Sequence, residues 1–152
     1  MPTVKQVLYI ARSELGYIEG QNNNNKYGRN LNLNYVSWCA LFVLDCLINA
    51  GFTGYKKLYL KYAYCPTWAN DFKKQKLNVS IENAQPGDIV FYNFHGKKYS
   101  EHVGIIEDIL SIHIIAIEGN TGSLSQNEGD GVFRKTRHKS LITAIGRPPY
   151  SL

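Results

Sequence analysis

The spacing of apolar residues changes once along the chain, at Pro86-Gly87-Asp88, and this change limits the folds available to it. Before that turn, apolar residues recur three or four positions apart, as they do along one face of a helix. After it, short runs rich in isoleucine, valine and aromatic residues favour strands. Helices first and hairpin-linked strands second predict an α+β domain, with N-terminal helices packed on a C-terminal antiparallel β-sheet.

Three helices are predicted before the turn. They begin at a capping-box pattern on Thr3, at a candidate N-cap on Ser37, and at Pro66, a residue favoured in a first helical turn. The middle helix is apolar nearly all round, so we expect it to be central. The Asn- and Gly-rich segment 20–35 is predicted to be a long loop. The predicted helices span 4–15 and 38–50, and the third carries Trp68, Ala69 and Phe72 on its inner face.

The part of the chain after the turn is predicted to form strands at 88–93, 102–106, 111–118, 131–135 and 141–146. The 152 residues suit a single domain over 1–152, expected to be monomeric and able to bury a core without disulfide bonds. The apolar runs are far shorter than the roughly 20 residues that span a bilayer, so no membrane insertion is expected. No secretory signal is visible at the N-terminus.

The formal net charge is +5, and the basic residues occur in short groups. These groups are Lys56-Lys57, Lys73-Lys74, Lys97-Lys98 and residues 134–139. A basic surface favours nucleic acid, anionic membranes or an acidic wall polymer. The alternative is a set of scattered, solvated side chains, because no run reaches the roughly five or six like charges of a binding tail. We predict no nucleic-acid partner.

The three cysteines are an odd number, so at least one is unpaired within a monomer, and their spacing does not suggest a disulfide framework. Cys39 lies in the first turn of the central helix, where free N–H groups and the helix dipole favour a thiolate. The alternative for Cys39 is a small buried apolar residue. Cys46, two turns further on, is expected in the core, and Cys65 lies near another helix start as a weaker rival nucleophile.

His102 begins an apolar strand and is the candidate base for Cys39. Glu118 and Asn120 are two residues apart, so they share one face if the strand continues. Either could then accept the imidazole N–H and orient the ring, although both also fit a turn at the strand end. The remaining histidines lie in polar segments or interrupt a strand: His95, His113 and His138.

Four short motifs follow one another along the chain: Ser37-Trp38-Cys39-Ala40, residues 86–91, residues 102–106 and residues 117–121. Together they resemble the CHAP domain family, which comprises cysteine- and histidine-dependent amidohydrolases and peptidases. The resemblance covers nearly the whole chain and implies a fold related to the NlpC/P60 and papain-like enzymes. The loop over 17–27 and the ending Gly146-Arg147-Pro148 also resemble CHAP domains of bacteriophage endolysins.

The resemblance implies a role for each candidate residue. Cys39 matches the nucleophile, His102 the general base, Glu118 the residue that orients the histidine, and Asn120 a fourth polar member. The implied activity is hydrolysis of an amide bond in bacterial peptidoglycan through a thioester. The enzyme would be an N-acetylmuramoyl-L-alanine amidase or a peptidoglycan endopeptidase, and no residue chooses between the two bonds.

No cofactor or metal is expected. Some endolysin CHAP domains bind calcium through closely spaced aspartates ahead of the cysteine. The equivalent stretch here has only Glu19 and a series of asparagines, and hard cations prefer several charged oxygen ligands. We therefore predict no tight calcium site, and expect the asparagines to make turns or border the substrate groove.

Two other functions remain open from the sequence. Eleven tyrosines and the positive charge also suit a wall-binding module without catalysis, and a cysteine acyltransferase would use the same thioester. If the chain is a phage lysin, the absent signal implies that it is made in the host cytoplasm. It would then reach the bacterial cell wall only when the membrane is breached at lysis.

Overall fold

The structure is a computed structural model and describes residues 1–122 and 129–151. Within these residues the helices precede the sheet, as predicted. The α-helices are α1 Val4–Ser13, α2 Lys26–Asn30, α3 Cys39–Ala50, α4 Tyr59–Tyr62 and α5 Cys65–Lys74. The strands are β1 Ile89–Tyr92, β2 His102–Ile109, β3 His113–Thr121, β4 Gly131–His138 and β5 Ile142–Gly146. None of the described helices is long and apolar enough to cross a membrane.

The strands form one antiparallel sheet in the order β4-β3-β2-β1-β5. Alternate residues of a strand face opposite sides, and two apolar clusters follow this alternation. Phe91, Val103 and Ile117 face the helices, whereas Val90 and Ile106 face a smaller cluster on the other side. The α+β class and the antiparallel sheet predicted from the sequence are confirmed.

Helix α3 is central because nearly all of its surface is apolar. Every residue from Cys39 to Ile48 is buried, and the helix packs against α1 on one side and against β2 and β3 on another. Burial of a nearly continuous apolar helix between two layers places this helix at the centre of the hydrophobic core. This packing fixes the first turn of α3 close to the strand that begins at His102.

The start of α3 differs from the prediction in a way that matters for Cys39. The helix begins at Cys39 rather than at residue 38, and Trp38 rather than Ser37 occupies the N-cap position. The Trp38 side chain makes no capping hydrogen bond, because its indole has no acceptor, and it is fully buried and stacks on Tyr27 at a centroid distance of 5.4 Å. The N–H groups of the first turn are therefore not capped by the N-cap side chain, and can face an anion.

The segment 20–35 is not simply a loop, as predicted, because it contains α2. The Asn25 side chain caps this helix by accepting the Gly28 N–H at 2.7 Å. Tyr27 is fully buried against Trp38 and Phe42, and this packing stabilises a helix too short to form alone. Helix α4 and the 3₁₀ turn Thr53–Lys57 were also not predicted, and three strands, β2, β3 and β4, run past their predicted ends.

Gly146 provides a test of packing between the sheet and α5. It pairs with Ile89, and a Cβ on Gly146 would lie 2.2 Å from the ring of Phe72, which is buried. We expect Gly146→Ala to lower the free energy of unfolding by about 1–3 kcal/mol, because the ring must move within a packed core. Urea denaturation measures the change.

Gly54→Ala is the matched control, because a Cβ there meets no atom within 4 Å. Its free energy of unfolding should stay within about 0.5 kcal/mol of the wild type, as for most surface substitutions. Equal stability of the two variants would contradict the close packing of Gly146 on Phe72.

Candidate active site

Three of the four candidate residues lie together. Cys39 is the first residue of α3, His102 the first residue of β2, and Glu118 lies in β3. His102 Nε2 is 2.9 Å from Glu118 Oε1, and both side chains are fully buried. The Cys39 thiol contacts the imidazole, and Cys39 is the least enclosed of the three residues, with 7% of its surface exposed against 0% for His102 and Glu118.

The sheet register brings Glu118 to His102. Ile105 pairs with Ile117, which places Glu118 across from Gly104, two residues along β2 from His102. A Cβ on Gly104 would lie only 2.7 Å from Glu118 Cγ. The missing side chain at Gly104 therefore leaves the space through which the glutamate reaches the imidazole.

The surroundings of Cys39 favour its thiolate. A hydrogen bond with the Cys65 thiol makes the largest contribution to the lowered pKa of Cys39, which lies well below its usual range. Burial opposes this shift, whereas His102 and the N–H of Ala40 add to it. A thiolate at an uncapped helix start thus receives a thiol donor, a backbone donor and a neighbouring cation.

The pKa of Cys65 shifts in the opposite direction. It begins α5, as a rival nucleophile at a helix start would, but the hydrogen bond with Cys39 and burial raise the pKa of Cys65 well above its usual range. Of the two contacting thiols, Cys65 therefore stays protonated, and its S–H donates a hydrogen bond to the Cys39 sulfur. Cys46 lies in the core as predicted, and burial raises its pKa too.

His102 is held as an imidazolium by its neighbours. Burial alone would lower the pKa of His102, but Glu118 and Cys39 outweigh it and raise the pKa to about 9. Glu118 engages Nε2, so Nδ1 is the nitrogen left for Cys39. Nδ1 has no regular hydrogen-bond partner among the described residues, yet Cys39 and His102 each shift the pKa of the other.

Glu118 has a second cationic neighbour that the sequence analysis missed, Arg137 in β4. Arg137 was grouped with the basic residues of 134–139, but it is buried and its Nε donates to Glu118 Oε2 at 3.1 Å. The predicted strand ended at residue 135, so the alternation that turns Arg137 inward was not followed far enough. Burial would raise the pKa of Glu118, but His102 and Arg137 lower it below its usual value.

Asn120 occupies a different position from Glu118, although it is close in sequence. The β3–β4 register shifts between Glu118 and Thr121, and Asn120 has a left-handed φ of 52°. Its side chain is fully buried, and neither amide atom has a hydrogen-bond partner among the described residues. Between the two residues that could orient the imidazole, the geometry therefore selects Glu118.

The other histidines lie apart from this cluster. His95 is exposed and pairs with Glu101 at 2.9 Å, and His113 lies beside His138 across β3 and β4 with ring centroids 5.2 Å apart. In residues 1–122 and 129–151, no three His, Cys, Asp or Glu side chains are grouped so that they could hold a metal ion.

The asparagine-rich segment forms its own hydrogen bonds. Asn24 Oδ1 accepts from Arg29 and from Asn34, and Asn34 Oδ1 accepts the N–H of Asn25. These amide oxygens stabilise the turn around α2, which is one of the two roles expected for the segment.

Comparison with known proteins shows the family and the fold of the chain. The model of the CHAP domain family matches residues 30–120, a segment that contains Cys39, His102, Glu118 and Asn120. The chain belongs to the CHAP domain family. Among solved structures, it is similar to the crystal structure of a wild-type endolysin, LysIME-EF1, with a TM-score of 0.60 and 14% sequence identity.

That alignment covers 99% of this CHAP domain chain and 66% of the endolysin chain, so the chain spans just under two thirds of that protein. At this identity the likeness shows a shared fold. No curated protein matches the sequence.

Replacing Cys65 tests the hydrogen bond between the two thiols. We expect Cys65→Ala to raise the pKa of Cys39 by about 1–2 units, because a hydrogen bond to a charged group contributes roughly 1.5–3 kcal/mol. The measurement is the rate of Cys39 alkylation by iodoacetamide as a function of pH, with the modified residue identified by mass spectrometry.

Cys46→Ala is the matched control, because it also removes a buried thiol but does not contact Cys39. Its alkylation profile should match that of the wild type. A Cys65→Ala profile that also matches the wild type would show that the Cys65 thiol does not stabilise the Cys39 thiolate.

Proposed function

We propose that this CHAP domain hydrolyses an amide bond of bacterial peptidoglycan with Cys39 as the nucleophile. One observation carries the proposal: buried His102 contacts Cys39 on one side and Glu118 on the other, with the pKa of the thiol lowered and that of the imidazole raised. A thiolate and an imidazolium side by side are the reactive state of a cysteine hydrolase. Family membership and the endolysin-like fold support a wall substrate.

The reaction follows from this ion pair. The Cys39 thiolate attacks the amide carbonyl, and the C–N bond breaks as imidazolium His102 transfers its proton to the departing amine. His102, now neutral, removes a proton from water, and the resulting hydroxide attacks the thioester. The acid product leaves, and Cys39 and His102 return to the ion pair.

Glu118 and Asn120 have separate parts in this proposal. Glu118 orients the imidazole and keeps it protonated until the amine leaves. Asn120 is the fourth polar member, because its buried, unpartnered amide can hydrogen-bond to a substrate group. The N–H of Cys39, at the start of α3, is the candidate donor to the tetrahedral oxyanion.

The scissile bond is either the muramoyl–L-alanine amide or a peptide bond of the stem or cross-bridge. The +5 charge favours approach to anionic wall polymers at moderate salt. We further propose a single, monomeric catalytic domain over 1–152 that acts in the manner of a phage endolysin, from the host cytoplasm outward at lysis.

Cys39→Ala separates hydrolysis from binding. We expect it to abolish lysis of purified walls while sedimentation with those walls is unchanged, because the substitution removes only the nucleophile. Cys46→Ala should retain lysis. If Cys39→Ala lyses walls as the wild type does, the domain is not a cysteine hydrolase.

Mass spectrometry of the wall digest then identifies the reaction. A new N-terminal L-alanine indicates an amidase, any other new N-terminus an endopeptidase, and capture of an added amine in the product an acyltransferase. A folded, reduced protein that releases none of these products would contradict the proposal.

The raised pKa of His102 predicts the alkaline limit of activity. The imidazolium is present below its pKa and is lost as the pH rises through about 9, so kcat/KM for wall lysis should fall above that pH. In Glu118→Gln the limit should move down by about 1–3 pH units, because glutamine orients the ring without a negative charge.

Glu101→Gln is the matched control, since Glu101 pairs with the exposed His95. Its pH profile should match that of the wild type. An alkaline limit that is the same in Glu118→Gln and in the wild type would show that Glu118 does not hold the proton on His102.

A further inference from the structure

Glu118 is a buried carboxylate shared by two cations. Its Oε1 contacts His102 Nε2 and also accepts from Arg137 Nη2, while its Oε2 accepts from Arg137 Nε. The guanidinium therefore holds the carboxylate at both oxygens, the two-point geometry that distinguishes arginine from lysine. The side chain of Glu118 is 0% exposed and that of Arg137 is 6% exposed.

Arg137 is itself held in place by the sheet. Its guanidinium carbon lies 4.5 Å from the ring centroid of Phe94 and 5.5 Å from that of Tyr92, and Nη2 also reaches Thr121 Oγ1 at 3.4 Å. Phe94 and Tyr92 pack on His102 as well, with centroid distances of 5.7 and 6.0 Å. The same two rings thus exclude water from both cations of Glu118.

The charges in this cluster alternate in sign and balance. In the reactive state Cys39 is negative, His102 positive, Glu118 negative and Arg137 positive. A buried charge is tolerated only when it is paired, so removal of Arg137 leaves one uncompensated negative charge in the cluster. Uptake of a proton by Glu118 removes this excess charge, so without Arg137 the pKa of Glu118 should be higher.

The other titratable groups nearby do not replace Arg137. Tyr92 is neutral, because burial and Glu118 raise its pKa well above the usual range. Lys135 lies on the same strand, but its Nζ donates to the Gly122 carbonyl. Cys65 acts on the far side of Cys39 as a neutral donor.

We propose that Arg137 is a positioning residue that keeps Glu118 ionised, so that His102 lies beside a carboxylate rather than a neutral acid. The inference rests on the proposed function, because it concerns the same reacting groups. A purely structural role, in which Arg137 only attaches β4 to the sheet, would change stability and leave the pH dependence of Glu118 unaltered.

The test is the pH titration of Glu118, followed by carbon-13 NMR with glutamate labelled at the side-chain carboxyl, in Arg137→Gln, Arg137→Lys and the wild type. In Arg137→Gln the pKa of Glu118 should rise by about 1–3 units, the effect of a lost adjacent cation on a carboxylate. Arg137→Lys keeps the charge without the two-point contact, and should reverse most of that shift.

Arg134→Gln is the matched control. Arg134 lies on the same strand and pairs with a glutamate, Glu107, but its side chain is 49% exposed. Its Glu118 titration profile should match the wild type. A folded Arg137→Gln whose profile also matches the wild type overturns the proposal, and so does an equal shift in Arg134→Gln.

Carbon-13 NMR of the wild type, with glutamate labelled at the side-chain carboxyl, tests the proposal even if Arg137→Gln does not fold. The Glu118 signal should remain that of a carboxylate below the ordinary glutamate pKa of about 4.5. A signal that titrates at or above that pH overturns the proposal.

The NMR titration requires no peptidoglycan, so the two hypotheses can fail separately. A protein whose Glu118 titration shifts as expected but which never cleaves walls contradicts only the proposed function. A protein that cleaves walls but whose Glu118 titration is unaffected by Arg137 contradicts only this inference.

Discussion

The hydrogen bond between His102 Nε2 and Glu118 Oε1 is the interaction on which the rest of the site depends, because it joins two fully buried groups. Neither side chain can be solvated, so each is stable in its charged form only through its neighbours. Glu118 holds the proton on His102, and His102 in turn favours the anion at Cys39. The charge of the Cys39 thiol thus depends on Glu118, which acts on it through His102.

The fold supplies this cluster from four separate elements. Helix α3 brings the thiol, β2 the imidazole, β3 the carboxylate and β4 the guanidinium. The antiparallel order β4-β3-β2 places the last three side by side, and the packing of α3 on β2 and β3 brings the first to them. Small residues make the approach possible: Gly104 leaves room for Glu118, and a Cβ on Gly119 would lie 2.6 Å from Phe42 of α3.

The sequence was sufficient for what depends on local pattern. The capping box on Thr3 and Gln6, the apolar helix behind Cys39 and the strands after Asp88 were all predictable, because each depends on spacing within a short segment. The burial of Arg137 and the presence of α2 were not predictable from the sequence. A basic residue in a basic run and an asparagine-rich segment both suggest solvent exposure, and only tertiary contacts with Glu118 and Trp38 bury them.

The role of Cys65 could not be predicted for the same reason. Both cysteines begin helices, so local sequence leaves Cys65 as a rival candidate for the thiolate, although a weaker one than Cys39. The difference arises from the imidazole, which contacts Cys39 and not Cys65, so that the proton shared by the two sulfur atoms stays on Cys65. Cys39, next to the imidazolium of His102, is therefore the hydrogen-bond acceptor, and Cys65, next to Cys39, is the donor.

The choice of a carboxylate rather than an amide beside His102 has a chemical consequence. An amide such as that of Asn120 could orient the ring equally well, but only a negative charge can raise the pKa of a buried imidazole to about 9. The imidazolium then survives in a site where burial opposes it. In the proposed reaction the leaving amine needs that proton, so the buried ion pair of His102 and Glu118 would serve the step in which the C–N bond breaks.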